Sequence, residues 1–324
     1  MLKIRYVLRL LLVLSLVALV MFWVSISSSL KDRHQYFKNL YRQTYLQKGP
    51  IDVIASGSSR AIALAGAVEL KSSLDKKHQS DDIIVYNYGK AGRDLVIDYV
   101  YLKDYLREHC VGTVLVEVNH AHVKDRYHMH FEHIAPYSVI WDSYLNDSYH
   151  GWPRRFQLGL RASINKMLKS VYRRYSHEFD EFDIPVEPVR TKYRRAKANQ
   201  PVLNPKQRPA DKNYWDLTAP FEYRQTRYIY KILEEAKKYE TKIIFYYAPT
   251  SDSRPLSPKL TDSFQQMFGQ PLHQLNQKQL DDMRSIRVFG DYNHVNQEGR
   301  DYLVNWMVDD FDIQLSDQSK CTAR

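Results

Sequence analysis

The chain has 324 residues, 44% of them hydrophobic and 26% charged, which suits one large globular domain or two small ones. Two cysteines, Cys110 and Cys321, are too few for a disulfide-built scaffold, and they are expected to stay unpaired because one falls at a helix end and the other in a polar tail. The net charge of +10 calls for an anionic neighbour, yet the basic residues spread over the whole length without the aromatic-interleaved cluster of a nucleic-acid binder.

Residues 10–24 form an apolar run broken only by Ser15, with Lys3, Arg5 and Arg9 before it and Lys31, Asp32 and Arg33 after it. Counted from Tyr6 to Ile26 with Arg9 snorkelling, the run reaches the roughly 20 residues that span a bilayer core. Bulky Met21, Phe22 and Trp23 stand where a signal-peptide cleavage site needs small residues, so residues 1–33 read as an uncleaved membrane anchor. Positive charge ahead of the run puts the N-terminus in the cytoplasm and everything after it outside. Residues 34–50 read as a polar, helical connector that stops at Pro50.

Four nearly continuous apolar runs, 51–55, 83–88, 113–118 and 242–247, predict strands of a parallel sheet covered on both faces. Helical spacing over 59–74, 94–109 and 221–239 alternates with them. The predicted fold class is therefore α/β: a three-layer sandwich around a doubly wound, flavodoxin-like parallel sheet, preceded by one transmembrane helix. This domain is expected to fill residues 51–312, with 313–324 as a polar tail.

Residues 123–218 interrupt the rhythm as an insertion. Within it Phe156, Leu160, Ile164, Met167 and Val171 recur at helical spacing among Arg154, Arg155, Arg161, Lys166, Lys169, Arg173 and Arg174. A basic helix over 154–174 either packs this stripe on the domain or lays it on an anionic membrane surface. Residues 186–213, rich in proline, read as an irregular loop.

Four segments carry candidate chemistry, each at the carboxyl end of a predicted strand or close to the C-terminus. The first strand runs into Gly57-Ser58-Ser59-Arg60, which places a serine at a helix N-terminus where the dipole favours a developing oxyanion; a serine there is also a common helix cap. After the second strand comes Asn87-Tyr-Gly-Lys-Ala-Gly92, whose glycines let backbone approach a ligand. The third strand ends in Val116-Glu-Val-Asn119, offering an amide donor. Asp291-Tyr-Asn-His294 then precedes an amphipathic helix carrying Tyr302, Leu303 and Trp306.

In order and placement these segments resemble the sequence blocks of the SGNH (GDSL-like) hydrolase and acyltransferase superfamily. The Gly-Ser-Ser variant with an N-terminal anchor is most similar to its branch that incorporates D-alanine into teichoic acid and to related envelope acyl-transfer proteins. The resemblance implies Ser59 as nucleophile, His294 as base with Asp291 orienting it, and an oxyanion hole from Ser59, Gly92 and Asn119. Ser58 departs from the family Asp, Val118 from the Gly before Asn, His120 from an acidic residue and Val295 from Pro, and none of these removes a catalytic group.

The implied function is a serine esterase or O-acyltransferase acting on cell-envelope polysaccharide or lipid-linked glycan, with a membrane-bound acyl exporter as the implied partner class. The competing reading is a catalytically silent scaffold of the same fold that binds such a polymer for a membrane partner. Arg60, Arg93 and His120 are candidate substrate ligands. His120, His122, His128, His130 and His133 cluster, but no cysteine or carboxylate pattern completes a zinc site, so no metal and no cofactor are expected.

Overall fold

The computed structural model describes residues 6, 9, 11–23, 49–58, 60–61, 67–89, 95–118, 135–146, 150–175, 223–251, 253–286, 288–289 and 294–317, with backbone alone at 67, 169–175 and 223–225. The chain divides into two compact units, Met1–Leu46 with Met129–Val189, and Gln47–His128 with Arg190–Arg324.

The larger unit is built on five strands: β1 (Ile51–Ser56), β2 (Val85–Asn87), β3 (Val111–Glu117), β4 (Lys242–Tyr246) and β5 (Leu272–His273). They pair in the order β2-β1-β3-β4-β5, and every pairing is parallel. Its helices are α1 (Ala67–His78) and α2 (Leu95–Glu108), then α5 (Tyr223–Lys238), α6 (Pro258–Phe268), α7 (Gln277–Ser285) and α8 (Gln297–Asp310). The smaller unit holds α3 (Tyr137–Leu145), α4 (Trp152–Tyr175) and a helical segment at 11–23.

Right-handed crossovers decide which face each helix covers. The chain steps one way from β1 to β2 and back the other way from β2 to β3, so α1 and α2 fall on opposite faces. On one face Val53, Ala55, Leu115, Ile244 and Tyr246 join Leu70 and Leu74 of α1 and Leu303, Val304 and Met307 of α8 in a single buried cluster. On the other, α2 meets α5 through Tyr99 and Tyr228, whose ring centroids are 5.6 Å apart, and Phe245 meets Phe264 of α6 edge-on at 5.4 Å. Strands covered twice need no alternation, and all six residues of β1 are buried.

The predicted strands match β1 to β4, but the first helix differs. It extends to His78, where Lys76, Lys77 and His78 complement the helix dipole and Gln79 turns out at φ 52°. The missed elements carried local signals. Pro258 opens α6 and left-handed Gly269 closes it, while Asn276 and Gln279 form a reciprocal capping box ahead of α7.

The segment after α8 is not a free polar tail through 317. Ile313 is buried, Gln314 exchanges hydrogen bonds with the Thr113 hydroxyl, and Ser316 donates twice to Asp52 Oδ1, at 2.9 and 2.7 Å. This closes the amino edge of β1 and β3. At that same edge Cys110 is disulfide-bonded, which corrects the expectation that it is unpaired; Cys321, the sequence's other cysteine, lies outside the described residues. The cause is tertiary: the return of residues 313–317 brings the C-terminal segment to the strand that Cys110 precedes.

Among the described residues no helix is long and apolar enough to cross a membrane. Most of the 1–33 anchor and of the 34–50 connector, the 186–213 loop and the histidines between 120 and 133 lie outside the described residues.

Candidate active site

In a sheet of order 2-1-3-4-5 the strand order reverses beside β1, and the crevice at the carboxyl ends of β1 and β3 is the natural place for a ligand. β1 leaves the sheet through Gly57, held at φ +150°, a conformation L side chains rarely adopt. A Cβ there would lie 2.5 Å from Glu117 Cβ and 2.9 Å from Ala61 Cβ. The exit turn is thus pressed against the last residue of β3.

Glu117 organises the residues beyond that turn. Its Oε2 accepts the Ser58 backbone N–H at 2.7 Å, and its Oε1 accepts the Ser58 hydroxyl at 3.0 Å and Arg60 Nε at 3.0 Å. Arg60 Nη2 lies 2.9 Å from the same oxygen, and Nη1 donates to the Ala248 carbonyl at 3.1 Å. One carboxylate therefore ties together the carboxyl ends of β1, β3 and β4. Beneath it Ser56 Oγ donates to Asp98 Oδ1 at 2.7 Å, and Asp98 is itself buried. Burial first, then the charges of Glu117 and Asp98, hold the Tyr246 phenol well above its ordinary range against the opposing pull of Arg60.

This arrangement corrects the expectation that Arg60 binds substrate. It is buried and committed to Glu117 and Ala248. Ser58 is likewise occupied, donating its hydroxyl to Glu117 and accepting the Arg60 N–H at 3.2 Å. Sequence reasoning passed over Glu117, although a lone acid in an otherwise apolar strand was the available signal.

The other candidate segments leave the same edge. Asn87, ending β2, accepts the Gly89 N–H at 2.8 Å and donates to the Ala61 carbonyl at 3.0 Å, so the turn leading towards Gly92 is tied to the chain that follows β1. Beyond β3, Val118 N–H donates to Tyr246 O at 2.8 Å.

His294 is half-buried in a loop closed by an antiparallel bridge between Phe289 and Val295, and Asn296 N–H donates to Val288 O at 2.7 Å. Asn296 also caps α8 by accepting the Gly299 N–H at 3.0 Å, and a Cβ on Gly299 would strike Val288 O at 2.5 Å. Arg300 and Gln297 then reach Glu69 in the first turn of α1, at 2.9 and 3.2 Å. Because α1 starts at the carboxyl edge, this latch carries the His294 loop to that edge.

Burial disfavours the Glu69 carboxylate. Hydrogen bonds from its own backbone, Gln297 and Arg300, with the Arg300 charge, outweigh that effect and hold its pKa below the ordinary value.

Ser59, Gly92, Arg93, Asn119, His120 and Asp291 lie outside the described residues. Their described flanks, Ser58 with Arg60, Asn87 to Gly89, Val118 and His294, all belong to one edge. The chain matches no protein-family model and no curated protein.

Proposed function

We propose that this chain is a serine esterase or O-acyltransferase of the SGNH type, with Ser59 as nucleophile, His294 as base and Asp291 orienting the imidazole. The observation that supports the reading is the Glu117 cross-link, which holds Ser58 and Arg60, the neighbours of Ser59 in sequence, at the switch-point edge, while the loop of His294 is latched to α1. Ser58 and Arg60 are both consumed by that cross-link, which favours Ser59 over its neighbour as the reactive hydroxyl.

In the proposed reaction His294 takes the Ser59 Oγ proton as Oγ bonds to an ester carbonyl carbon. The oxyanion is met by the N–H groups of Ser59 and Gly92 and by the Asn119 amide. Collapse breaks the ester C–O bond, and His294 returns the proton to the leaving alcohol. Water or a sugar hydroxyl, deprotonated by His294, then takes the acyl group and frees the serine. None of these steps calls on a metal or cofactor.

The proposed substrate class is acylated envelope polysaccharide or lipid-linked glycan, with an acylated carrier as donor and a membrane-bound acyl exporter as partner. The proposed location is the outer face of the cytoplasmic membrane, held by the apolar run at 10–24. The disulfide at Cys110 supports an oxidising compartment.

The test is labelling of the purified full chain with a serine-directed fluorophosphonate. Labelling that disappears in Ser59→Ala supports the enzyme. A folded wild-type chain that takes no label overturns it and favours the polymer-binding scaffold.

A further inference from the structure

The helix α4 is inverted relative to a helix of a water-soluble domain. Its buried positions are small or polar, Gly159, Ala162 and Lys166, with Leu158 and Met167 half-buried beside them. Ala162 and Lys166 are fully buried, Lys166 Nζ lies 5.6 Å from the Tyr137 ring centroid, and a Cβ on Gly159 would meet Trp141 Cζ3 at 2.8 Å. Its bulky apolar residues Trp152, Phe156, Leu160, Ile164 and Leu168 form one i, i+4 ridge on the outside, between 42% and 64% exposed. Water selects the opposite arrangement, whereas small residues inward and large apolar residues outward is the pattern of helices packed in lipid. The spacing of Phe156, Leu160 and Ile164 therefore yields a partly exposed edge rather than a buried stripe, with Phe156 also meeting the Trp141 ring at 5.5 Å.

Charge says what would cover it. The sequence of α4 holds seven basic side chains and no acidic one, and Arg154 and Arg161 are exposed beside the ridge. A second copy docked ridge to ridge would set cations against cations, while anionic headgroups complement both the arginines and the apolar strip. Trp152, stacked on Phe156 at 5.4 Å, stands at the helix start, and indoles concentrate where membrane meets water.

The surface is also continuous with a second one in the same unit. Residues 11–23 are helical and apolar, and Leu12 and Trp23 are each 69% exposed. Phe22 meets the Tyr137 ring at 4.9 Å and, with Trp141, Ile164 and Met167, lines an open hollow of about 280 Å³.

We propose that α4 is an interfacial helix that lies in the surface of an anionic bilayer, ridge inward and arginines at the headgroups. The proposal does not depend on the Ser59 triad. Besides the anchor, it gives the smaller unit a second hold on lipid, one that runs parallel to the membrane plane.

The test uses the full chain reconstituted in vesicles of phosphatidylglycerol and phosphatidylcholine with brominated acyl chains. The difference in tryptophan emission between wild type and Trp152→Phe isolates Trp152, whose exposure makes the substitution harmless to folding. Expected is quenching of that difference by the lipid bromines, together with shielding from aqueous iodide. Arg154→Gln and Arg161→Gln should each weaken docking about fivefold.

Access of iodide to Trp152 in the presence of vesicles overturns the proposal, as does shielding from both quenchers, which would indicate a protein cover. A double arginine variant that docks like wild type overturns the choice of anionic lipid. Alkaline extraction of the vesicles reports the 10–24 anchor separately, so failure of the anchor and failure of α4 are told apart.

Discussion

Arg60 Nη2 and Glu117 Oε1 meet at 2.9 Å with both side chains almost wholly withdrawn from water, one residue from Ser59. Such a pair is strongly destabilising when only one member is removed, because the survivor is a buried, uncompensated charge. Glu117→Ala is expected to lower unfolding free energy by about 3–5 kcal/mol in urea titration. A combined Glu117→Leu, Arg60→Met variant should recover much of that loss.

Gly57 supplies the second expectation. Gly57→Ala must hold a positive φ and fit a Cβ against Glu117, so about 3 kcal/mol or more of stability should be lost, read from the same titration. Gly49→Ala is the contrast: its φ of +137° carries the backbone strain, but among the described residues no atom lies within 4 Å of its Cβ position, so it should cost less.

Ser58→Ala separates architecture from chemistry. Losing a buried hydroxyl that donates to a carboxylate should cost about 1–3 kcal/mol, while fluorophosphonate labelling at Ser59 persists. Labelling abolished in folded Ser58→Ala would reverse the assignment of the two serines.

Among the described residues, the buried imidazole of His109, the half-buried one of His273 and the Glu69 carboxylate lead the response to acid. Burial lowers the His109 pKa, with Glu108 opposing, and the unfolded chain binds its proton more readily than the folded one. Its contribution is present above the unfolded value of about 6.5 and is lost as pH falls towards the folded value. Glu69, also lowered, contributes above its unfolded value of about 4.3, and the α1–α8 latch weakens as pH falls through its folded pKa. Melting temperature should thus fall in two stages on acidification. His109→Phe should shrink the first stage, leaving the part due to His273, and Glu69→Gln should shrink the second.

Reduction should act independently of pH. Breaking the bond at Cys110 is expected to destabilise the chain by about 2–4 kcal/mol, measured as a lower melting temperature with dithiothreitol and reproduced by Cys110→Ser.

The strands β1, β3 and β4 were legible because burial on both faces leaves unbroken apolar runs such as Val114 to Val116. The two residues of β5 leave no such run. Missing the disulfide and missing the Glu117 hub share a cause. Nothing local in Cys110 announces that Ser316 returns beside it, and nothing in Arg60 announces a partner 57 positions away. Periodicity picked out Phe156, Leu160 and Ile164 of α4 but not Trp152 or Leu168, and it could not give their direction, since facing inward or outward depends on what surrounds a helix rather than on its own spacing. For the candidate site, order along the chain brought the described flanks to one edge, while the contacts that rigidify that edge emerged only in three dimensions.

The bond from Ser316 to Asp52 also has a temporal consequence. The two residues are separated by 264 positions, so at about 5–20 residues per second the ribosome delivers Ser316 roughly 10–50 s after Asp52. Through that interval the nascent β1 and β3 lack their amino-edge closure, and the latch from α8 to Glu69 is also unmade. The carboxyl edge that carries the candidate site therefore lacks its latch until Arg300 has been made, 231 residues after Glu69.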